Sequence, residues 1–143
     1  MLLAAGMHQI VGVVLALAGL KCAGLEHLAA EFFCVSTMLP AAGQGALGIE
    51  IRAADSALME RIAFLDDRQT RAAVTAERAF LAAAGGGCSL PIGVYGEVRG
   101  EELHLTGRIV REESGTAVEG TESGRRAEAA DIGRRLAARI IKK

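Results

Sequence analysis

The stretch "IGVYGEVRGEELHLTGRIVREESGTAVEGTES" (residues 92–123) decides the fold. It reads as three strands, at 92–98, 102–110 and 116–123. The links Arg99-Gly100-Glu101 and Glu112 to Gly115 are short and suit hairpin turns. The expectation is a three-stranded antiparallel meander.

Helical patterns flank it. Upstream, "RQTRAAVTAERAFLAAA" (68–84) places Ala72, Ala76, Ala79, Phe80 and Ala83 on one face, with Arg71, Glu77 and Arg78 elsewhere. Gly85 to Gly87 stop it, as glycine does at helix C-termini. Before that, "DSALMERIAFLDD" (55–67) opens on the capping pair Asp55-Ser56 and carries Leu58, Ile62 and Leu65 at helical spacing. Downstream, "RRAEAADIGRRLAARIIKK" (125–143) sets Ala129, Ile132, Leu136 and Ile140 on one side, and its basic end suits the negative end of the helix dipole. Residues 53–143 therefore read as a small α+β domain with helices on one face of the sheet.

Residues 1–52 read differently. "IVGVVLALA" (10–18) is apolar and β-branched at its start, the pattern of a strand buried on both faces of a parallel sheet. "GLKCAGLEHLAAEF" follows with helical or turn character. In "MLPAAGQGALGIEIR" (38–52), Pro40 and the glycines break any helix, and "ALGIEI" alternates as a strand does. Such strands need a sheet to join. Residues 1–52 are thus expected to be a remnant of a larger α/β body.

Composition narrows the function classes. The 143 residues are 51% hydrophobic but only 3% aromatic, and formal net charge is −1. A nucleic-acid module would carry a basic excess and stacking aromatics, and neither is present. The apolar run from Ile10 to Leu20 is shorter than the roughly 20 residues of a spanning helix. No basic residue precedes it, as one would in a secretory signal. The expectation is a cytoplasmic protein with no nucleic acid and no membrane among its partners.

Cysteine usage points to a reducing compartment. Cys22, Cys34 and Cys88 are an odd number at wide spacing, and His8, His27 and His104 match no zinc pattern. Cys22 and His27 are five apart, but the plainer reading makes Cys22 and Cys34 small hydrophobes. Cys22 is expected to be buried in its "LAGLKCAGL" setting, and Cys34 to be intermediate. Cys88 stands on a glycine loop after a helix C-terminus, where the dipole opposes a thiolate. A weakly activated thiol there still reacts with a strong electrophile.

"GGGCSLPIG", "MLPAAGQGALGIE", "VTAERAFL" and "VVLALAGLKCAGLE" together resemble the hydroxymethylbilane synthase (porphobilinogen deaminase) family. The likeness is collinear from about residue 12 to the C-terminus. It implies that Cys88 carries a dipyrromethane cofactor through a thioether, formed when the thiol adds to the methylene-pyrrolenine left after porphobilinogen loses ammonia. The bound pyrroles then prime head-to-tail addition of further units, and hydrolysis releases hydroxymethylbilane, an intermediate of tetrapyrrole (porphyrin, haem) biosynthesis. The resemblance places Gln44 and Gly45 at the pyrrole-binding cleft, and Ala16 where a backbone amide meets the bound pyrroles. Lys21, Arg52 and Arg78 read as solvated or interdomain charges.

The resemblance also implies what this chain lacks. The family enzyme has three domains, and its first supplies the catalytic aspartate and most carboxylate-binding cations. No catalytic residue and no metal ligand is expected here, since Asp55, Asp66, Asp67 and Asp131 match no catalytic motif. "MLLAAGMHQIVG" and "FCVSTMLP" depart from the family pattern. Residues 1–52 would then hold the end of the second domain and the return strand to the first, and 53–143 the cofactor-anchoring domain. The expected partners are porphobilinogen and either the missing N-terminal domain or a copy of the chain itself. The chain alone is expected to be inactive. The alternative is a non-catalytic binding domain derived from the enzyme.

Overall fold

The structure, a computed structural model, describes residues 12–85, 91–111 and 115–142. The chain divides into two compact units, one ending at Cys34 and the other beginning at Val35.

In the first unit the one α-helix among the described residues is α1 (Leu17–Cys22). The Ala16 carbonyl accepts the Gly19 and Leu20 N–H groups at its start. Its end is a Schellman motif. Gly24 takes φ +68°, Leu25 N–H reaches the Leu20 carbonyl at 2.8 Å, and Gly24 N–H reaches that of Lys21 at 3.1 Å. A 3₁₀ turn, Glu26–Leu28, follows.

The strand expected over 10–18 is not formed across its described residues. Residues 12–16 carry no regular secondary structure, residues 17 and 18 are helical, and Val13, Val14 and Leu15 are 71%, 63% and 62% exposed. The reason is physical: a parallel-sheet strand takes its hydrogen bonds from neighbours, and the one described sheet lies elsewhere in the sequence. "ALGIEI" also remains irregular, with Leu47 fully exposed, for the same want of a partner.

The second unit follows the expected order. Helix α2 (Ser56–Ile62) is capped by Asp55, whose side chain accepts the Leu58 N–H at 3.1 Å. Helix α3 (Arg68–Ala83) is capped by Asp67, which accepts the Thr70 N–H at 2.7 Å. The sheet β1 (Ile92–Arg99), β2 (Glu102–Val110), β3 (Ala117–Arg125) is antiparallel in the order β1-β2-β3. Arg99 pairs with Glu102, leaving Gly100-Glu101 as the loop, with Gly100 at φ +64° as a primed two-residue turn requires. Helix α4 (Ala129–Ile141) closes the unit.

Helices α3 and α4 cover one face of the sheet. The core joins Ala76 and Phe80 of α3 with Ile132, Leu136, Ala137 and Ile140 of α4 and Val94, Leu103 and Leu105 of the sheet. A chain poor in aromatics fills this space by approaching closely. Phe80 lies on Gly107, where a Cβ would stand 2.7 Å from the ring. Helices α3 and α4 touch backbone to backbone at Gly133, where a Cβ would meet the Ala76 carbonyl and lie 2.8 Å from the Phe80 nitrogen. Packing of this density leaves little room to relax.

Candidate functional site

The turn at residues 40–46 is built onto the edge of this sheet. β1 is an edge strand, so its outward N–H groups at Val94 and Gly96 need acceptors from elsewhere. The Pro40 carbonyl accepts the Val94 N–H at 2.8 Å. The Glu77 carboxylate, reaching from α3, accepts the Gly96 N–H at Oε1 (2.8 Å) and the Gly43 N–H at Oε2 (2.7 Å). Glu77 is 6% exposed, the one buried charged residue among those described. Burying a carboxylate is costly unless its oxygens are hydrogen-bonded, and each oxygen here has a donor. These bonds tie the turn to α3 and β1, all within the unit that begins at Val35.

Within the turn, the Gln44 N–H donates to the Ala41 carbonyl at 3.1 Å, and Gln44 Oε1 accepts the Ala41 N–H at 3.0 Å. Gly43 has φ +75°, and the Ala46 N–H closes onto its carbonyl at 3.2 Å. The Gln44 side-chain oxygen thus braces its own turn. Gln44 and Gly45 face solvent.

The structure therefore brings Gln44 and Gly45 together on one braced turn. Ala16 is exposed at the start of α1 in the other unit. Cys88 lies outside the described residues. Its described flanks are Gly85, which ends α3 with φ +82°, and Pro91, whose carbonyl accepts the Val110 N–H at 3.0 Å beside the start of β1.

The other two cysteines depart from expectation. Cys22 and Cys34 are both exposed rather than buried and intermediate. Cys22 ends a helix of six residues that buries none of them, so an apolar sequence setting does not become an apolar environment.

Glu77 was not singled out by sequence reasoning, which set it apart from the apolar face of its helix. The signal was available. Glu77 follows Ala73 by four residues and precedes Phe80 by three, which puts a carboxylate on the face that packs. Arg52, read as a solvated or interdomain charge, pairs with Asp55 at 2.8 Å. That bond, with the Leu58 N–H, holds the Asp55 carboxyl below its ordinary range. The Thr70 N–H does the same for Asp67. Among the described residues no group of three or more His, Cys, Asp or Glu is placed to hold a metal, and no helix is long and apolar enough to cross a membrane.

Two family models match the sequence: "Porphobilinogen deaminase, dipyromethane cofactor binding domain" over residues 2–60, and "Porphobilinogen deaminase, C-terminal domain" over residues 71–142. The chain belongs to the porphobilinogen deaminase family. Curated relatives of that name agree. The chain is 47% identical over 112 residues to the protein of Roseiflexus castenholzii, covering 78% of this chain and 37% of the relative. It is 43% identical over 131 residues to that of Pelobacter propionicus, covering 92% and 42%. With that of Acidothermus cellulolyticus it shares 48% identity over 134 residues, covering 91% and 40%. The chain thus spans about two fifths of the length of these relatives. The two matched family domains meet in the second unit: the 40–46 turn comes from the first, and the helix and strand it is tied to come from the C-terminal domain.

Proposed function

We propose that this chain is the C-terminal part of a hydroxymethylbilane synthase, cytoplasmic, in which Cys88 anchors the dipyrromethane primer and Gln44, Gly45 and Ala16 contact the pyrroles through backbone and amide groups. The observation that carries this reading is the C-terminal family match over residues 71–142, which contains Cys88. The covalent link and the contact residues are this reading's own. When bound, dipyrromethane supplies the terminal pyrrole to which porphobilinogen units add, each with loss of ammonia.

The residues fit such a group. Its acetate and propionate arms need donors and open backbone, and the 40–46 turn presents Gly43 and Gly45 with no side chain in the way. Glu77 keeps this turn fixed to the domain that carries the cysteine. The role of Cys88 is to give a carbon–sulfur bond that survives in water. Ammonia leaves a porphobilinogen unit, the sulfur adds to the methylene carbon of the cationic methylene-pyrrolenine that remains, and the thiol proton goes to solvent. That step needs no depressed thiol pKa when the electrophile is strong. The acid that assists porphobilinogen condensation is assigned to an N-terminal portion supplied as a partner.

Intact mass spectrometry tests this. The chain is mixed with the N-terminal portion of a curated relative and porphobilinogen. The expected result is a mass gain of a two-pyrrole unit on Cys88, absent from a Cys88→Ser variant. A gain located on Cys22 or Cys34, or no gain in the assembled pair, overturns the assignment.

A further inference from the structure

The two edges of the sheet are finished differently. On β1 the outward N–H groups of Val94 and Gly96 are met by the Pro40 carbonyl and the Glu77 carboxylate. On β3 the outward groups are left open. The Arg111 N–H reaches the Thr116 carbonyl at 3.0 Å and the Arg126 N–H reaches that of Glu101 at 2.9 Å, so the even-numbered residues of this strand bond to β2. The backbone of Ala117, Glu119, Thr121, Ser123 and Arg125 therefore points away from the sheet. All five are exposed, and none of their N–H groups has an acceptor among the described residues. The register with β2 runs unbroken along β3, which contains no proline, so the strand has neither of the usual devices that turn a neighbour away.

Its charges are of both signs and complement themselves. Arg108 engages Glu119 at Oε2 alone, through Nε at 2.7 Å and Nη2 at 2.6 Å. Glu128 engages Arg125 at Nε and Nη2. Glu119 Oε1 and Arg125 Nη1 have no partner among the described residues. We propose that β3 pairs antiparallel with β3 of a second copy, about a two-fold axis at Glu122, so that the two sheets become one. In that register Glu119 lies opposite Arg125 of the second copy and Thr121 opposite its Ser123, each pair occurring on both sides of the axis. These are the residues whose N–H and C=O groups point outward, so backbone bonds and side-chain pairs fall in the same register. On the helix side Gly120 faces Gly124 and adds no bulk. Glu122 meets its mate on the axis, where Arg139 at 3.0 Å and Arg135 at 3.4 Å offset each carboxylate. Moving the axis to Thr121 sets Arg125 opposite Ala117 and forfeits both ion pairs. This inference concerns association alone and stands apart from the cofactor reading above.

The test is sedimentation equilibrium of the full chain up to millimolar concentration, with amide hydrogen exchange alongside. A reversible dimer is expected, weakened by salt, and exchange at Glu119, Thr121 and Ser123 should slow as concentration rises while that at Val94 does not change. Thr121→Pro removes an outward N–H and leaves the β2 bonds intact, so it should raise the dimer Kd about tenfold or more. Glu119→Arg should do the same by setting like charges opposite each other, and adding Arg125→Glu should restore association because the exchanged charges again match. Unchanged α4 amide positions show that each variant is folded. A chain that stays monomeric throughout overturns the proposal. So does a dimer indifferent to Thr121→Pro and Glu119→Arg, or one that leaves the β3 amides unprotected, since association then uses another surface. Failure of the double variant to regain association overturns the register, and with it the reason for a second copy as the occupant.

Discussion

The Glu77 carboxylate holds the Gly43 N–H at 2.7 Å across 34 residues of sequence. Its other oxygen holds Gly96, so one side chain ties a turn, a helix and an edge strand. Glu77→Gln keeps one carbonyl acceptor and turns an NH₂ toward the second amide. Leaving a buried donor without an acceptor costs about 1–3 kcal/mol. The expected outcome is faster hydrogen exchange at Gly43 or Gly96, with α4 amides unchanged, because the opening is local. Unaltered exchange at both glycines would show that the clasp contributes nothing.

The crossing of α3 and α4 gives a second prediction. At Gly133 an added methyl meets the backbone of Ala76 and Phe80, which cannot swing aside as a side-chain tip can. At Gly120 it meets only the ends of Ile140 and Leu136, at 3.3 Å. Gly133→Ala should therefore cost about 1–3 kcal/mol or more, as overpacking does. Gly120→Ala should cost much less. Thermal unfolding of the two variants checks the order, and equal midpoints would refute it.

A third prediction concerns acid. Asp55 and Asp67 cap α2 and α3, and both carboxyls are held below their ordinary value by what they cap or pair with. A depressed folded pKa contributes stability above the unfolded value, near 3.8 for both residues, which is lost as pH falls through the folded pKa. Exchange protection at Leu58 and Thr70 should thus be flat from neutral pH down to the ordinary carboxylate range and fall below it. Asp67→Asn should keep the cap and remove much of the acid dependence, because the amide oxygen still accepts the Thr70 N–H. A loss of protection already complete at pH 6 would assign the change to other groups.

These elements also show what the sequence made legible. Helices α2, α3 and α4 and the meander were readable because their causes are local: an aspartate before a helical stripe, a glycine at its end, two short links between strands. The segments at 12–18 and 46–51 were not, since an apolar or alternating run specifies a strand only when a neighbour supplies its hydrogen bonds. Gln44 and Gly45 were named from their motif, which says nothing of the clasp beneath them. One inward carboxylate among alanines looks like an ordinary polar position until its long-range partners, Gly43 and Gly96, are brought to it by the fold.

The last prediction concerns the thiols. Sequence setting suggested that Cys22 would be protected, which would leave Cys88 alone to react quickly. Cys22 is instead a free, exposed thiol at the end of a helix that buries nothing. Access governs labelling as much as thiolate fraction does. A maleimide should therefore modify Cys22 readily, and Cys88→Ser should retain a fast phase, shared with the exposed Cys34, that shrinks when Cys22→Ser is added. Peptide mapping after brief labelling assigns each phase to its residue. Because the Cys88 role depends on its electrophile rather than on thiol reactivity alone, its loading with pyrrole should survive Cys22→Ser unchanged. If removing Cys22 shrinks the fast phase and abolishes the pyrrole mass gain, Cys22 is the anchor and Cys88 is not.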